Sequence, residues 1–237
     1  ICDGRNNDCD AQQDEGCISP AGNDLRLDTT HGAGASNALD PTILGTGSGA
    51  TARVHVAWRD VYDPTTMTPR AHVFSSRSID GGATFEAPFR LDHTGSDGGG
   101  AVFAPRLALT GTTNVLWAWP DFRGGTGYRE IYSRLSTNSG PTLQGEVKIN
   151  AMGATSTLDS YNLSLATSGN NVYAVWETFT AARQRNIFFA RSTDGGATWP
   201  NTPSQLSTFV SATFVAAEPR VAASGNDVYV TWRDNRN

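Results

Sequence analysis

The first seventeen residues carry the side chains best suited to binding a metal ion. They read ICDGRNNDCDAQQDEGC, and Asn or Asp stands at alternate positions from 6 to 10 and again at 14. Oxygens with this spacing can converge on one hard cation, and a neighbouring backbone carbonyl or carboxylate can add a further ligand. We therefore predict a calcium site formed by Asn6, Asp8, Asp10, Gln12, Asp14 and Glu15.

This stretch resembles the calcium loops of thrombospondin type 3 repeats. It is more similar still to the metal-binding CDGxDNDCDGxxDEGC motif of secreted, notably myxobacterial, proteins. Asn6 and Ala11 depart from that motif by removing a charge and a turn glycine, which would weaken the site. The alternative is a solvated acidic tail held by one disulfide among Cys2, Cys9 and Cys17. Clustered cysteines favour an oxidising compartment, so we expect an extracellular or cell-surface protein.

A second group of charged residues could bind an organic ligand. An arginine fork can hold a carboxylate, and paired acids can hydrolyse a glycosidic bond. Alternatively, each arginine pairs with an aspartate and ties neighbouring loops together. Thr42 and Asn162 are predicted to replace the arginine in two of the repeats described below. The candidate ligand-binding residues are Arg106, Arg220, Asp60, Asp121, Asp234 and Glu218, and Glu177 is predicted to lie near them.

These residues sit within a repeated unit that is marked by an octapeptide. The octapeptide occurs at 78–85 and 192–199, with a degenerate copy at 136–143, so the intervals are 58 and 56 residues. Its Asp can accept backbone hydrogen bonds, its Gly supplies a positive φ, and its Thr and aromatic residue start a new strand. A fixed period of this size indicates a repeated supersecondary unit. The residues assigned to this turn are Ser78, Asp80, Gly82, Thr84 and Phe85 in one copy, and Ser192, Asp194, Gly196, Thr198 and Trp199 in the other.

Each unit is predicted to contain four strands. Tryptophans 58, 119, 176 and 232 lie 61, 57 and 56 residues apart in β-branched and aromatic runs, which are typical of strands. Hairpin signals precede most of these runs, and the octapeptides follow them. The other predicted strands lie at 106–109, 163–166 and 220–223 (first), 71–77, 130–135 and 186–191 (third), and 89–92, 147–150 and 205–208 (fourth).

Four antiparallel strands per unit, without helical periodicity, predict an all-β fold, namely a β-propeller of four-stranded blades. Residues 24–237 would form about four blades: complete blades at about 40–92, 93–150 and 151–208, and the first two strands of another at 209–237. Residues 1–23 form the cysteine loop and a linker. Residues 24–28 resemble a fourth strand that could complete the last blade. We expect a truncated or incompletely closed ring.

The octapeptide is similar to the Asp box of the sialidase and BNR-repeat superfamily, and the resemblance covers about residues 24–237. It implies a propeller, but the same box occurs in sialidases, other glycosidases and binding receptors. A sialidase would also need three arginines around the substrate carboxylate, a Tyr nucleophile assisted by Glu, an Asp acid and an F/Y-R-I-P motif. That motif is absent, and Phe103-Ala104-Pro105-Arg106-Leu107 is only a distant echo of it.

Composition narrows the classes of function. The net charge is −5, which does not favour binding to nucleic acid, and no apolar run approaches the ~20 residues of a membrane helix. Our first hypothesis is a secreted, non-catalytic binding or adhesion propeller, carbohydrate-directed and carrying a calcium loop. The second is a sialidase-like exo-glycosidase with part of its site elsewhere, and the third is a purely structural module.

Overall fold

The computed structural model describes residues 25–30, 36–62, 70–92, 102–122, 128–151, 158–179, 184–207 and 215–235. These residues form β-strands and one 3-10 turn at Gly49–Thr51. No described helix is long or apolar enough to cross a membrane. The strands are β1 (Asn37–Thr46), β2 (Arg53–Tyr62), β3 (Arg70–Ser78), β4 (Phe89–Arg90), β5 (Arg106–Thr110), β6 (Asn114–Asp121), β7 (Glu130–Ser136), β8 (Val147–Lys148), β9 (Asp159–Ser168), β10 (Asn171–Phe179), β11 (Arg185–Ser192), β12 (Ser204–Gln205), β13 (Ala216–Ser224) and β14 (Asp227–Asp234).

The strands form successive antiparallel sheets, each built from strands that are consecutive in the chain. Three sheets have four strands, in the orders β1–β4, β5–β8 and β9–β12, and β13 and β14 form a two-stranded sheet. The first strands of successive sheets contact one another: β1 contacts β5, β5 contacts β9, and β9 contacts β13. The predicted all-β propeller is thereby confirmed, with three four-stranded blades and two strands of a fourth.

The hydrophobic core lies between blades. Ala57 and Val73 of the first blade pack with Trp117 and Trp119 of the second, and all four are fully buried. Alternate residues of a strand point to opposite faces, so each second strand can contribute to two such interfaces. Of the recurring tryptophans, Trp119, Trp176 and Trp232 pack into clusters of this kind, whereas Trp58 stacks on Phe74 of its own blade.

The fourth strands are shorter than predicted, and the reason is the same in each complete blade. A side-chain oxygen accepts a hydrogen bond from the third strand where a longer ladder would continue. The bonds run from Val73 N to Asp92 Oδ1 (2.8 Å), from Ile131 N to Asn150 Oδ1 (2.8 Å) and from Ile187 N to Ser207 Oγ (3.0 Å). We call these three contacts the side-chain locks.

The strand predicted at 24–28 is not formed in the part that the structure describes. Residues 25–28 are irregular and do not join the β13–β14 sheet. A fourth strand must add to a third, and the described part of that sheet contains no third strand. The segment lies instead against the first blade, where Leu25 and Leu27 border a groove with Ser76 and Phe85.

Candidate functional site

The first strands of three blades are irregular at equivalent positions. The register shifts in β1, β9 and β13, and residues with positive φ lie at Asp40 (53°), Asn162 (49°) and Glu218 (57°). This left-handed backbone is uncommon for residues other than glycine, and a β-bulge re-aims the side chain that it carries. The bulges therefore place polar groups at one end of the first strands.

A cleft of about 290 Å³ opens beside two of these bulges. It is formed by the first three blades, and both polar and aromatic side chains line it. The lining residues are Asp40, Arg59, Phe103, Ala104, Arg106, Pro120, Arg129, Tyr161, Asn162 and Leu163. The inner strands thus present the guanidinium, carboxylate, amide and phenol groups that a polar ligand would need.

Arg129 is held rigidly at the wall between the second and third blades. Its Nε and Nη2 donate to the two oxygens of Asp159 at 2.7 and 2.5 Å, so the ion pair is bidentate. Its guanidinium also lies over Tyr161, 4.6 Å from the ring centroid, and over Phe103 at 5.0 Å. Guanidinium–aromatic stacking of this kind fixes both partners. Arg129 therefore positions Tyr161 and Phe103 while its charge is neutralised by Asp159.

The other two cleft arginines have different surroundings. Arg59 Nε lies 3.0 Å from Asp40 Oδ2, in an ion pair without the alignment of a hydrogen bond. Arg106 instead donates to two backbone carbonyls, from Nε to Leu163 O (3.0 Å) and from Nη1 to Pro105 O (2.9 Å). Burial and the nearby charge of Arg220 lower the pKa of Arg106, and Asp40 partly offsets that shift.

Tyr161 and Glu177 are cross-strand partners on β9 and β10. Burial raises the pKa of Tyr161 to about 12; Glu177 adds to the shift, while Arg185 and Arg129 oppose it. A hydrogen bond with the Glu177 side chain contributes to this shift, so the phenol is protonated near neutral pH and its oxygen can accept a hydrogen bond from a ligand.

Glu177 accepts hydrogen bonds from the residues of two bulges. It is fully buried, and its Oε1 accepts bonds from Asn162 Nδ2 (2.7 Å) and from the backbone N–H of Glu218 (2.5 Å). One carboxylate oxygen thereby joins the third blade to the fourth. Its Oε2 is buried and has no hydrogen-bond partner among the described residues.

The structure does not bring the predicted ligand-binding residues together in one site. Arg106 lines the cleft, whereas Arg220, Asp60, Asp121, Asp234 and Glu218 are not among its lining residues. Asp60 is buried and accepts a bond from Thr30 Oγ1 at 3.0 Å. Glu218 is exposed and pairs with Arg233 at 3.0 Å.

Several of these arginines and aspartates have partners close to them in the sequence. Asp121 and Asp234 each accept a bond from the tryptophan two residues earlier, from Trp119 Nε1 and Trp232 Nε1, both at 3.3 Å. Arg220 donates from Nη1 to Pro219 O at 2.8 Å. Asp121 and Asp234 therefore each have one hydrogen-bond partner within their own strand.

One positional equivalence needs correction. Asn162 was predicted to replace the arginine in the third blade, but it occupies the bulge, as Asp40 and Glu218 do. Strand pairing aligns Ser164 with Arg220, because these residues face Val175 and Thr231 at the same step of their ladders. The replacement at Thr42 agrees with the pairing of β1, in which Thr42 faces Ala57.

The octapeptide turns have the hydrogen bonds that their sequence suggests. In the first copy, Thr84 N donates to Asp80 Oδ1 (2.9 Å) and Gly82 N donates to Ser78 Oγ (2.8 Å). Bonds from Thr84 and Ser78 lower the pKa of Asp80 to about 2. The copy at 192–199 repeats the pattern, and there the hydrogen bonds outweigh burial and lower the pKa of Asp194. Neither turn lines the cleft.

The calcium loop lies outside the described residues, as do all three cysteines. Within the described ranges, no group of three or more His, Cys, Asp or Glu side chains is arranged to hold a metal ion. The predicted ligands Asn6, Asp8, Asp10, Gln12, Asp14 and Glu15 therefore stay a prediction.

Most of the cleft was missed by sequence reasoning. Arg59, Arg129 and Tyr161 sit in ordinary-looking runs, and their convergence depends on bulges and loops. One signal was available, because the third blade reads Trp176-Glu177-Thr178 where the other three read Trp-x-Asp. A break in a repeated pattern can mark a position with a local role.

Comparison with models of protein families finds no match for this sequence, and comparison with curated proteins finds none either. Solved structures do match. The Hadza microbial sialidase Hz136 is 18% identical with a TM-score of 0.58, and the match covers 84% of this chain and 42% of that one. Trypanosoma rangeli sialidase in complex with sialic acid is 13% identical with a TM-score of 0.56, and the match covers 84% of this chain and 34% of that one.

The Penicillium chrysogenum α-L-arabinanase complexed with arabinobiose is 15% identical, with a TM-score of 0.52 and coverage of 82% of this chain and 64% of that one. All three identities are low, so the similarity is one of fold. The chain has a sialidase-like propeller fold and spans between about a third and two thirds of these structures.

Proposed function

We propose that this protein is a secreted, non-catalytic propeller that binds a carbohydrate in the cleft formed by its first three blades. The observation that carries the proposal is the convergence of Arg106, Tyr161, Asn162 and Asp40 on one opening. Sugars are recognised by fixed donors and acceptors of this kind in a preformed concavity. The fold adds support, since the similar structures include a sialidase with sialic acid and an arabinanase with arabinobiose.

The chemistry of the cleft favours binding over turnover. Burial raises the pKa of Tyr161 to about 12, so the phenol stays protonated near neutral pH and is a poor nucleophile in that state. The cleft contains three arginines, but Arg59 and Arg129 are already paired with Asp40 and Asp159 and are not free to hold a substrate carboxylate as the sialidase resemblance requires. The described groups are thus suited to holding hydroxyls in place.

The test is a glycan array followed by calorimetry with the best ligand. Tyr161→Phe removes one hydroxyl, and Arg106→Ala removes a guanidinium from the cleft. Each should weaken binding about fivefold or more, since a hydrogen bond contributes about 1 kcal/mol. Tyr229→Phe, on an exposed residue of β14, is the matched control and should bind like the parent. Absence of binding to every glycan, or unchanged affinity in both cleft variants, would contradict the proposal.

A sialidase-like exo-glycosidase is the second candidate, and one observation favours it. Tyr161 and Glu177 are adjacent on β9 and β10, and Asp40 lines the same cleft, which assembles the residue types of a Tyr–Glu pair and an acid. Fluorogenic sialosides and arabinofuranosides distinguish the candidates. Turnover that is lost in Tyr161→Phe and retained in Tyr229→Phe would establish the enzyme, whereas silence together with glycan binding supports the binding protein.

We also propose that the N-terminal loop binds calcium outside the cytoplasm. The support is its oxygen spacing and its three cysteines, all within residues 1–17. Calcium would rigidify a loop that is too short to form a core of its own.

A further inference from the structure

We propose that the cleft selects an uncharged sugar over one that carries a carboxylate. The inference rests on the proposed carbohydrate-binding function and concerns the charge of the ligand. It follows from how the charged groups that line or support the described cleft are paired with one another.

Two of the three cleft arginines already have carboxylate partners. Arg129 is bidentate to Asp159, and these side chains are only 22% and 17% exposed, so the pair is well shielded from water. Arg59 lies 3.0 Å from Asp40. A ligand carboxylate would have to displace a protein carboxylate that is already in place, and that exchange brings no net ion pair.

The third arginine, Arg106, bonds backbone carbonyls rather than a carboxylate. Arg106 uses the N–H of Nε and one N–H of Nη1 to bond Leu163 O and Pro105 O, and these two bonds orient the guanidinium. Recognition of a carboxylate by arginine is strongest when two parallel N–H groups face it. Because Nε is already used, the edge formed by Nε and Nη2 cannot present two such groups to a ligand carboxylate.

Negative charge inside the site opposes an anion further. Asp40 lines the cleft with its carboxylate 39% exposed, and Glu177 lies buried behind Tyr161. Arg220 contributes positive potential near Arg106, but it does not line the cleft. Arg185 near Tyr161 likewise contributes positive potential without lining the cleft. Asp40 is the exposed acid of the lining, and its like charge at close range disfavours an anionic sugar while its oxygens can accept from hydroxyl donors.

The test compares matched ligands on the intact chain. Calorimetry would measure digalactose, digalacturonic acid and sialyllactose at low and physiological salt. We expect digalactose to bind about tenfold tighter than digalacturonic acid, a ratio that corresponds to about 1.4 kcal/mol. Equal or tighter binding of either acid would overturn the inference and leave the carbohydrate-binding proposal intact. Failure of all sugars, including those of the array, would overturn both.

Asp40→Asn provides a second, independent arm. Asparagine tolerates positive φ, so the bulge should survive, and Arg59 would be released from its partner. Binding of digalacturonic acid should then rise several-fold, and the preference for digalactose should narrow. Asp227→Asn makes the same chemical change on an exposed residue of β14 and should leave the ratio unchanged. An unaltered ratio in Asp40→Asn, with the fold intact by circular dichroism, would refute the role of charge pairing.

Discussion

The indole of Trp199 donates a hydrogen bond from Nε1 to Ser133 Oγ, 3.2 Å away, and so fastens the octapeptide turn of the third blade to the second blade. The ring also packs against Leu116 and Leu135 of that blade. The turn that identifies the repeat in sequence is therefore also an inter-blade contact.

Substitutions of Trp199 should separate the contribution of its hydrogen bond to stability from that of its apolar packing. Trp199→Phe keeps most of the apolar contact and loses the bond, so we expect a loss of about 1 kcal/mol in unfolding free energy. Trp199→Ala should cost about 2–4 kcal/mol, because it also leaves space between the blades. Urea denaturation measures both, and an Ala variant as stable as the Phe variant would contradict the packing role.

The equivalent glycines of the two turns offer a matched pair. Gly82 and Gly196 have similar φ values, 96° and 93°, but a Cβ on Gly82 would meet nothing within 4 Å, whereas one on Gly196 would lie 2.7 Å from Leu116 Cδ1. Both alanine variants pay for the backbone conformation, and only Gly196→Ala adds overpacking. We expect it to be less stable than Gly82→Ala by about 1–3 kcal/mol. Similar midpoints for the two variants in thermal unfolding would show that the side chain of Leu116 yields.

His55 should make the fold sensitive to acid. Its side chain is buried, and burial, with the charges of Arg77 and Arg53, lowers its pKa to about 4. The unfolded chain takes up this proton near pH 6.5 and the folded chain only near pH 4, so stability should fall as the pH drops between these values. Above pH 6.5 the residue should have no such effect.

The control for this effect comes from the repeat itself. Leu116 occupies the equivalent position in the second blade, so His55→Leu is a substitution that the fold already contains. Urea titrations from pH 7 to 4 should show a shallower loss of stability in His55→Leu. Parallel pH profiles for the two proteins would exclude His55 as the cause.

The folded protein should tolerate loss of the charge of Glu177 but not loss of the oxygen Oε1. Its Oε1 accepts two hydrogen bonds, whereas Oε2 has no partner among the described residues. Glu177→Gln retains one acceptor and should be close to neutral in stability. Glu177→Ala leaves two donors unsatisfied and should cost about 1–3 kcal/mol or more. Chemical denaturation of the pair decides the matter, and equal losses would mean that the charge itself is needed.

Calcium binding is predicted for the N-terminal loop. Titration of the metal-free protein should release or absorb heat, and Asp8→Ala should abolish the signal because it removes a charged ligand. Asp227→Asn, distant in sequence, should titrate like the parent. Heat that persists in Asp8→Ala would place the ion elsewhere.

The fold could be predicted from the sequence because one turn and one tryptophan recur with nearly constant spacing, and both are local signals. The cleft could not, for physical reasons. Asp40 and Tyr161 face it because of bulges, and a register shift depends on the pairing of whole strands rather than on residue type. Arg129 is aimed by Asp159, which lies 30 residues away in the next blade. The fourth strands were overestimated because a side-chain acceptor ended each ladder.

The side-chain locks also affect how the protein behaves in a crowded solution. Asp92, Asn150 and Ser207 each accept the hydrogen bond of a backbone N–H on a third strand. Beyond the short fourth strand, that sheet edge therefore offers few free donors with which another polypeptide strand could pair.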